Sequence, residues 1–185
     1  MNRKLMFATG NDVLPTPWPF FHALNEEFRF VIDVAATRRN RKVPAYYGPD
    51  HKNHALRDCL VIDWPTDGPC FLNPIYSEPE RACRPRCKKK RCRKRRYHID
   101  ADRPGCYDFV RKAAEQRRLG VTTVCLLASR TDNAWFHDFI WDARRHRCRP
   151  GVAVRFVKGR LVFEGKNSAP FPSVVVIFRG RRATR

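Results

Sequence analysis

Pro69-Cys70-Phe71-Leu72-Asn73-Pro74-Ile75-Tyr76 is an apolar run that gives way to a proline-bearing loop. The first four residues read as a short buried strand, and Asn-Pro opens a turn at once. Two further apolar runs flank it. Residues 29–34 (RFVIDV) read as a buried strand ending near Asp33, and residues 121–127 (VTTVCLL) as another. Residues 17–28 predict a short amphipathic helix with Thr16 as N-cap and Pro17 at the first helical position. Residues 37–58 are polar and irregular. Residues 107–119 predict a helix with Phe109, Val110, Ala113, Ala114 and Leu119 roughly on one face and Gly120 at its stop. A helix over 133–144 and strands over 152–157, 160–163 and 173–179 complete the reading. This alternation predicts an α/β class: a mixed sheet with antiparallel last strands, in one domain spanning 1–185. Ligands of open α/β sheets lie beyond the carboxyl ends of the strands. Asp33, Asn73 and Ser129 all fall there and are expected to form one site.

The 185 residues carry 38 Lys and Arg against 18 Asp and Glu, a formal net charge of +20. So large an imbalance predicts a polyanionic partner, nucleic acid first. A hydrophobic fraction of 43% is that of a globular chain. No apolar run approaches the roughly 18 residues of a membrane span, so no membrane partner is expected. The N-terminus, MNRKLMFATGND, lacks the apolar segment of about 7–15 residues of a signal peptide. A cytoplasmic, intracellular protein is therefore expected. In that compartment eight cysteines point to metal ligation or buried thiols rather than disulfides.

Half of those cysteines lie in residues 78–106, which have almost no large apolar side chains. Cys83-x3-Cys87-x4-Cys92-x5-His98 has the ligand count and spacing of a closed structural Zn2+ site. Bound metal would supply the folding energy that the segment's own side chains lack. Cys106 is the rival fourth ligand. Cys59, Cys70, Cys125 and Cys148 show no ligand spacing, and Cys125 reads as a core thiol. Eleven cations crowd the same segment without one acidic residue between them: Arg81, Arg84, Arg86, Lys88, Lys89, Lys90, Arg91, Arg93, Lys94, Arg95 and Arg96. They are expected to face DNA phosphates, giving salt-sensitive binding with little sequence information.

Asn-Pro-x-Tyr at a strand end has a specific chemical use. The exocyclic amine of adenine is a poor nucleophile because its lone pair is delocalised into the ring. Two hydrogen-bond acceptors can draw the amine toward tetrahedral geometry and free that lone pair for attack on a sulfonium methyl. Asn73 offers a side-chain oxygen and Pro74 a backbone oxygen, and proline has no N–H to oppose them. Tyr76 can stack on a base flipped out of the duplex.

The chain resembles the phage-type DNA N-6-adenine methyltransferases over nearly its whole length. The resemblance rests on Thr16-Pro17 ahead of LNEEF (24–28), IDVAA (32–36), the Asn40, Lys42 and Tyr46 spacing, and NPIYSEPE (73–80). RPGCYDFVRKAAE (103–115), SRTDNAWFHD (129–138), VKGRLVFEG (157–165) and APFPSVVVIF (169–178) follow in order. It implies a compact Rossmann-like methyltransferase fold, S-adenosyl-L-methionine as methyl donor and adenine in double-stranded DNA as acceptor. Some members carry a similar cysteine-rich insertion after the catalytic loop. Residue by residue, the resemblance implies that Asn73, Pro74 and Tyr76 are catalytic. It implies too that Thr16, Pro17, Asp33 and Ala35 line the donor pocket, with Asp33 on the donor's ammonium or ribose hydroxyls; capping the following turn is the other use open to that carboxylate. Ile75 stands where the family usually has a second proline, so weakened preorganisation of the loop is expected. Ala35-Ala36 replaces a glycine-rich turn, as the family pattern allows.

Arg130, Thr131 and Asp132 follow the strand that normally borders the target-base pocket. They would contact DNA, hold the loop or cap the following helix; Arg130 is the first choice for DNA. Trp135 and Phe136 read as core, His22 as structural. The rival to an enzyme is a catalytically impaired basic, zinc-containing DNA-binding protein that keeps the methyltransferase fold. An RNA-packaging role rests on charge alone and leaves the matched segments unexplained.

Overall fold

The computed structural model describes residues 14–163 and 168–180 of the chain, the side chains of Arg91 and Arg95 excepted. The N-terminal segment MNRKLMFATGND, and Glu164 and Gly165 of the 157–165 segment, lie outside the described residues.

The helix α1 (Trp18–Phe28) starts one residue later than the sequence suggests, with Pro17 as its N-cap. It buries Phe21 and Leu24, three residues apart and so on one face. Phe21 meets Phe30 and Phe71 at ring separations of 5.7 and 5.2 Å. The chain then enters β1 (Ile32–Asp33), β2 (Cys70–Leu72) and β3 (Thr123–Ala128), which are parallel neighbours. β7 (Ser173–Phe178) runs antiparallel beside β3, and β6 (Val152–Phe156) antiparallel beside β7. The sheet order is β1-β2-β3-β7-β6, with the antiparallel end that the sequence predicts.

β2, β3 and β7 are buried along their whole length, and their side chains alternate between two cores. Phe71, Val124, Leu126, Val175 and Ile177 pack with α1. Leu72, Cys125, Leu127, Val174 and Val176 pack with Phe109, Val110 and Ala113 of the helix α3 (Cys106–Arg118). The Asp108 carboxylate accepts the backbone N–H of Gly105 at the start of that helix, 3.0 Å away. Gln116 near its end accepts from Trp64 N and donates to Asp63, both at 2.8 Å, tying down the loop between β1 and β2.

Two sequence expectations fail. The helix expected at 133–144 is one wide turn, Phe136–Ile140, followed by a hairpin of β4 (Trp141–Asp142) and β5 (Arg147–Cys148). Burial of Trp135, Phe136 and Ile140 supplies helix-like spacing. The Asp142 carboxylate then accepts the N–H groups of Arg144 and Arg145 and forms a turn, a local alternative to helix. The strand expected at 160–163 reduces to a single bridge, Val162 with Ser168. Pro170 and Pro172 lack the N–H groups that a longer ladder needs.

Leu126 is fully buried at the centre of the sheet. Leu126→Ala is expected to lower unfolding free energy by about 2–5 kcal/mol, read from urea unfolding followed by circular dichroism.

Candidate active site and metal cluster

Asp33 ends β1, Asn73 follows β2 and Ser129 follows β3, all toward the carboxyl edge of the parallel strands, but the register sets Ser129 well beyond the level of Asp33 and it does not line the cleft that the other two share. A narrow cleft there is lined by Thr16, Asp33, Ala35, Ala36, Asn40, Lys42 and Asn73. Pro17 does not line it and remains at the cap of α1. Asn40 and Lys42 were legible only as family spacing. Buried Lys42 brings its ammonium 4.1 Å from the Trp18 ring centroid.

Asp33 is 3% exposed. Its carboxylate accepts the backbone N–H of Lys42 at 3.1 Å and of Ala35 at 3.5 Å, so it does shape the following turn. Burial pushes its carboxyl up to about 7 against those bonds and the nearby Lys42 charge.

The side-chain amide of Asn73 joins three segments. It donates to Leu14 O at 2.8 Å and Thr16 Oγ1 at 2.9 Å, and its Oδ1 accepts from the Tyr76 hydroxyl at 2.8 Å. The Tyr76 ring is buried, 5.0 Å from Phe171 and 6.3 Å from Phe163, and burial raises its hydroxyl pKa further. To stack on an incoming base, this ring would have to leave that packing. The guanidinium of Arg130 lies 5.7 Å from the Phe171 ring centroid. Ile75 is 5% exposed in the core beside α3. The loop thus contributes to both cores, Ile75 to one and Tyr76 to the other. Among the described residues the Pro74 carbonyl accepts no hydrogen bond.

The cysteine-rich segment leaves the loop directly. Its two arms pair antiparallel: Cys106 N to Ser77 O at 2.8 Å, Glu80 with Arg103 in both directions at 2.9 and 2.8 Å, and Cys83 N to Ile99 O at 2.8 Å. Gly105 lies against the other arm, where a Cβ would fall 2.1 Å from Pro79 N. At the far end Cys83, Cys87, Cys92 and His98 present ligand atoms within 4.8 Å of one another. The Cys83 thiol is drawn down to about 6, first by hydrogen bonding with the Ile99 backbone and then, against desolvation, with His98, Cys92 and Cys87. Cys106 begins α3 in the core, where burial pushes its thiol up to about 12, so His98 and not Cys106 completes the cluster. A short helix absent from the sequence reading, α2 (Lys90–Arg95), carries Cys92. Lys88, Lys89, Lys90, Arg93, Lys94 and Arg96 are exposed around it; the side chains of Arg91 and Arg95 lie outside the described residues.

Residues 6–185 match the profile of the family described as DNA N-6-adenine-methyltransferase (Dam). The chain belongs to this family. No curated protein and no solved structure matches it. At family level the match implies methylation of adenine N6 in DNA, with S-adenosylmethionine the expected donor of a Dam methyltransferase. No helix among the described residues is long and apolar enough to cross a membrane.

Asp33 yields a pH prediction. Its folded pKa of about 7 lies above the unfolded value of 3.8. Between these values the folded chain binds the extra proton, so stability falls as pH rises from about 4 to 7 and is level above. Asp33→Asn is expected to remove that loss. Its stability relative to wild type should rise by on the order of 4 kcal/mol between pH 4 and 8, at ~1.4 kcal/mol per unit. Urea unfolding of both proteins across the range measures it, and a pH-independent difference would mean an ordinary carboxyl at Asp33.

Proposed function

We propose that the protein is an S-adenosylmethionine-dependent methyltransferase acting on the 6-amino group of adenine in double-stranded DNA. In this reading 1–185 is one Rossmann-like methyltransferase domain and 78–106 is a zinc-binding insertion within it. The observation that carries it is Asn73 at the carboxyl end of β2, lining one cleft with buried Asp33 and buried Lys42.

The donor supplies an electrophilic methyl on sulfur. Beside Thr16 and Ala35, Asp33 and Lys42 carry the charges its amino-acid end needs, because a zwitterion needs one of each sign: Asp33 for the ammonium, Lys42 for the carboxylate. The cleft of about 10 Å³ would have to widen to admit it. Asn73 Oδ1 and the Pro74 carbonyl accept hydrogen bonds from the adenine amine. A carbonyl oxygen has two lone pairs, so Asn73 can take the amine while still bonded to Tyr76. As the N–C bond forms, the C–S bond breaks and its electrons stay on sulfur; the amine then releases a proton to solvent. No side-chain base is required. Arg130 and the cations around α2 hold the phosphate backbone while the base enters.

Three thiols and an imidazole gathered at one point suit tetrahedral Zn2+ with no open position. The metal would anchor α2, whose residues bury little.

Two outcomes follow. Purified protein incubated with labelled donor and mixed duplexes is expected to form N6-methyladenine, and Asn73→Ala to lower the rate at least about a hundredfold, the usual loss for a polarising acceptor or donor. Failure of wild type on diverse duplexes would sink the enzyme reading, and donor titration by calorimetry would then identify an impaired pocket. Separately, one equivalent of zinc is expected by elemental analysis, lost in Cys87→Ser with most duplex affinity; a metal-free protein with full affinity would contradict the zinc insertion.

A further inference from the structure

A second concentration of arginine lies away from the finger, on the other edge of the sheet. Asn73 and Ser129 mark the carboxyl edge. Thr123, at the opposite end of β3, pairs with Phe178, which pairs with Val152. Leu72 lies opposite Cys125, so that edge is about 10 Å from the level of Asn73 along the strand, at ~3.3 Å per residue. Val152 and Phe178 there line a cleft of about 410 Å³ with Arg117, Arg118 and Arg149. Arg149 is fixed by donating to His137 O from Nε at 3.3 Å and Nη2 at 2.8 Å. Arg117 packs on Gly151, whose φ of 70° favours glycine and where a Cβ would lie 2.2 Å from the guanidinium. The β4–β5 hairpin extends the patch, with Arg144, Arg145 and Arg147 exposed.

Asp138 in the cleft lining and Asp142 in the hairpin neighbour these arginines, and both have partners, Arg145 of the patch itself among them. Asp138 accepts from the Tyr107 hydroxyl at 3.0 Å. Asp142 closes the hairpin turn and sits 3.9 Å from Arg145. Complementing the helix dipole accounts for Arg117 and Arg118 in the last turn of α3. It does not account for four more arginines on the adjoining hairpin, whose mutual repulsion calls for an anion.

We infer that this surface binds phosphate groups of a nucleic-acid backbone independently of the finger, so that DNA is held at two places on opposite edges of the sheet. The inference shares with the proposed function only its partner and needs no methyl transfer. The spread of the arginines along a hairpin and a helix end suits a run of phosphates rather than one.

Fluorescence anisotropy of a labelled duplex over a salt series tests it. Arg144→Glu/Arg145→Glu/Arg147→Glu, which alters exposed side chains only, is expected to weaken binding at least tenfold and to flatten the dependence of log K on log salt by about 0.9 for each phosphate that is no longer neutralised. Arg118→Ala/Arg149→Ala should act in the same direction. Wild type with its finger lysines 88–90 changed to alanine should keep measurable duplex binding, which the hairpin triple variant then removes. Donor affinity by calorimetry, unchanged in the hairpin variant, shows that the fold is intact. Unchanged affinity and salt slope in both arginine variants would overturn the inference. So would inorganic phosphate that saturates the cleft at micromolar concentration and leaves duplex binding untouched, since the ligand would then be a small phosphate.

Discussion

The hydrogen bonds of the Asn73 side chain hold the site together. One amide reaches Leu14 and Thr16 ahead of α1, and Tyr76 across its own loop. Through Tyr76 it reaches the aromatic group of Phe163 and Phe171, which come from the chain before β7. The entry to the first helix, the loop after β2 and the last part of the chain therefore converge on one side chain. An aspartate there could accept from Tyr76 but could not donate to Leu14 and Thr16 while ionised. The amide is what allows both sides to be satisfied.

The same loop is the root of the basic segment. Its arms pair from Ser77 with Cys106 outward to Cys83 with Ile99, so the cysteine-rich finger continues directly from the loop as a paired ribbon. Among the described residues only Cys92 and Ile99 are buried in its outer part, too little apolar surface to order it. Three thiols and an imidazole gather at its far end, and in the proposed reading a metal held there would supply that order and set the position of α2.

Much of this was legible in the sequence. The strands at 69–72, 121–127 and 173–179 are apolar runs bounded by turn residues, the run at 29–34 holds the shorter β1 (Ile32–Asp33), and α3 has clear periodicity with a glycine stop. The cluster of Cys83, Cys87, Cys92 and His98 was readable from spacing, and Cys106 lies apart from it in the core. What was hidden has physical reasons. The hairpin at 141–148 was obscured by helix-like spacing of its buried aromatics, and its turn depends on one carboxylate, Asp142. α2 has no apolar stripe, so periodicity could not reveal it. The burial of Tyr76 and the place of Lys42 in the cleft depend on residues brought together from distant parts of the chain. Ile75 read as a departure from the family loop, whereas its packing beside α3 gives it a use of its own.

Single-molecule methylation sequencing of host DNA, with and without expression of the protein, tests the central claim most directly. The account predicts N6-methyladenine at a discrete sequence motif in cells expressing wild type, and none when Asn73→Ala is expressed at the same level. Unmodified adenine in both, or a motif that persists with Asn73→Ala, would contradict it.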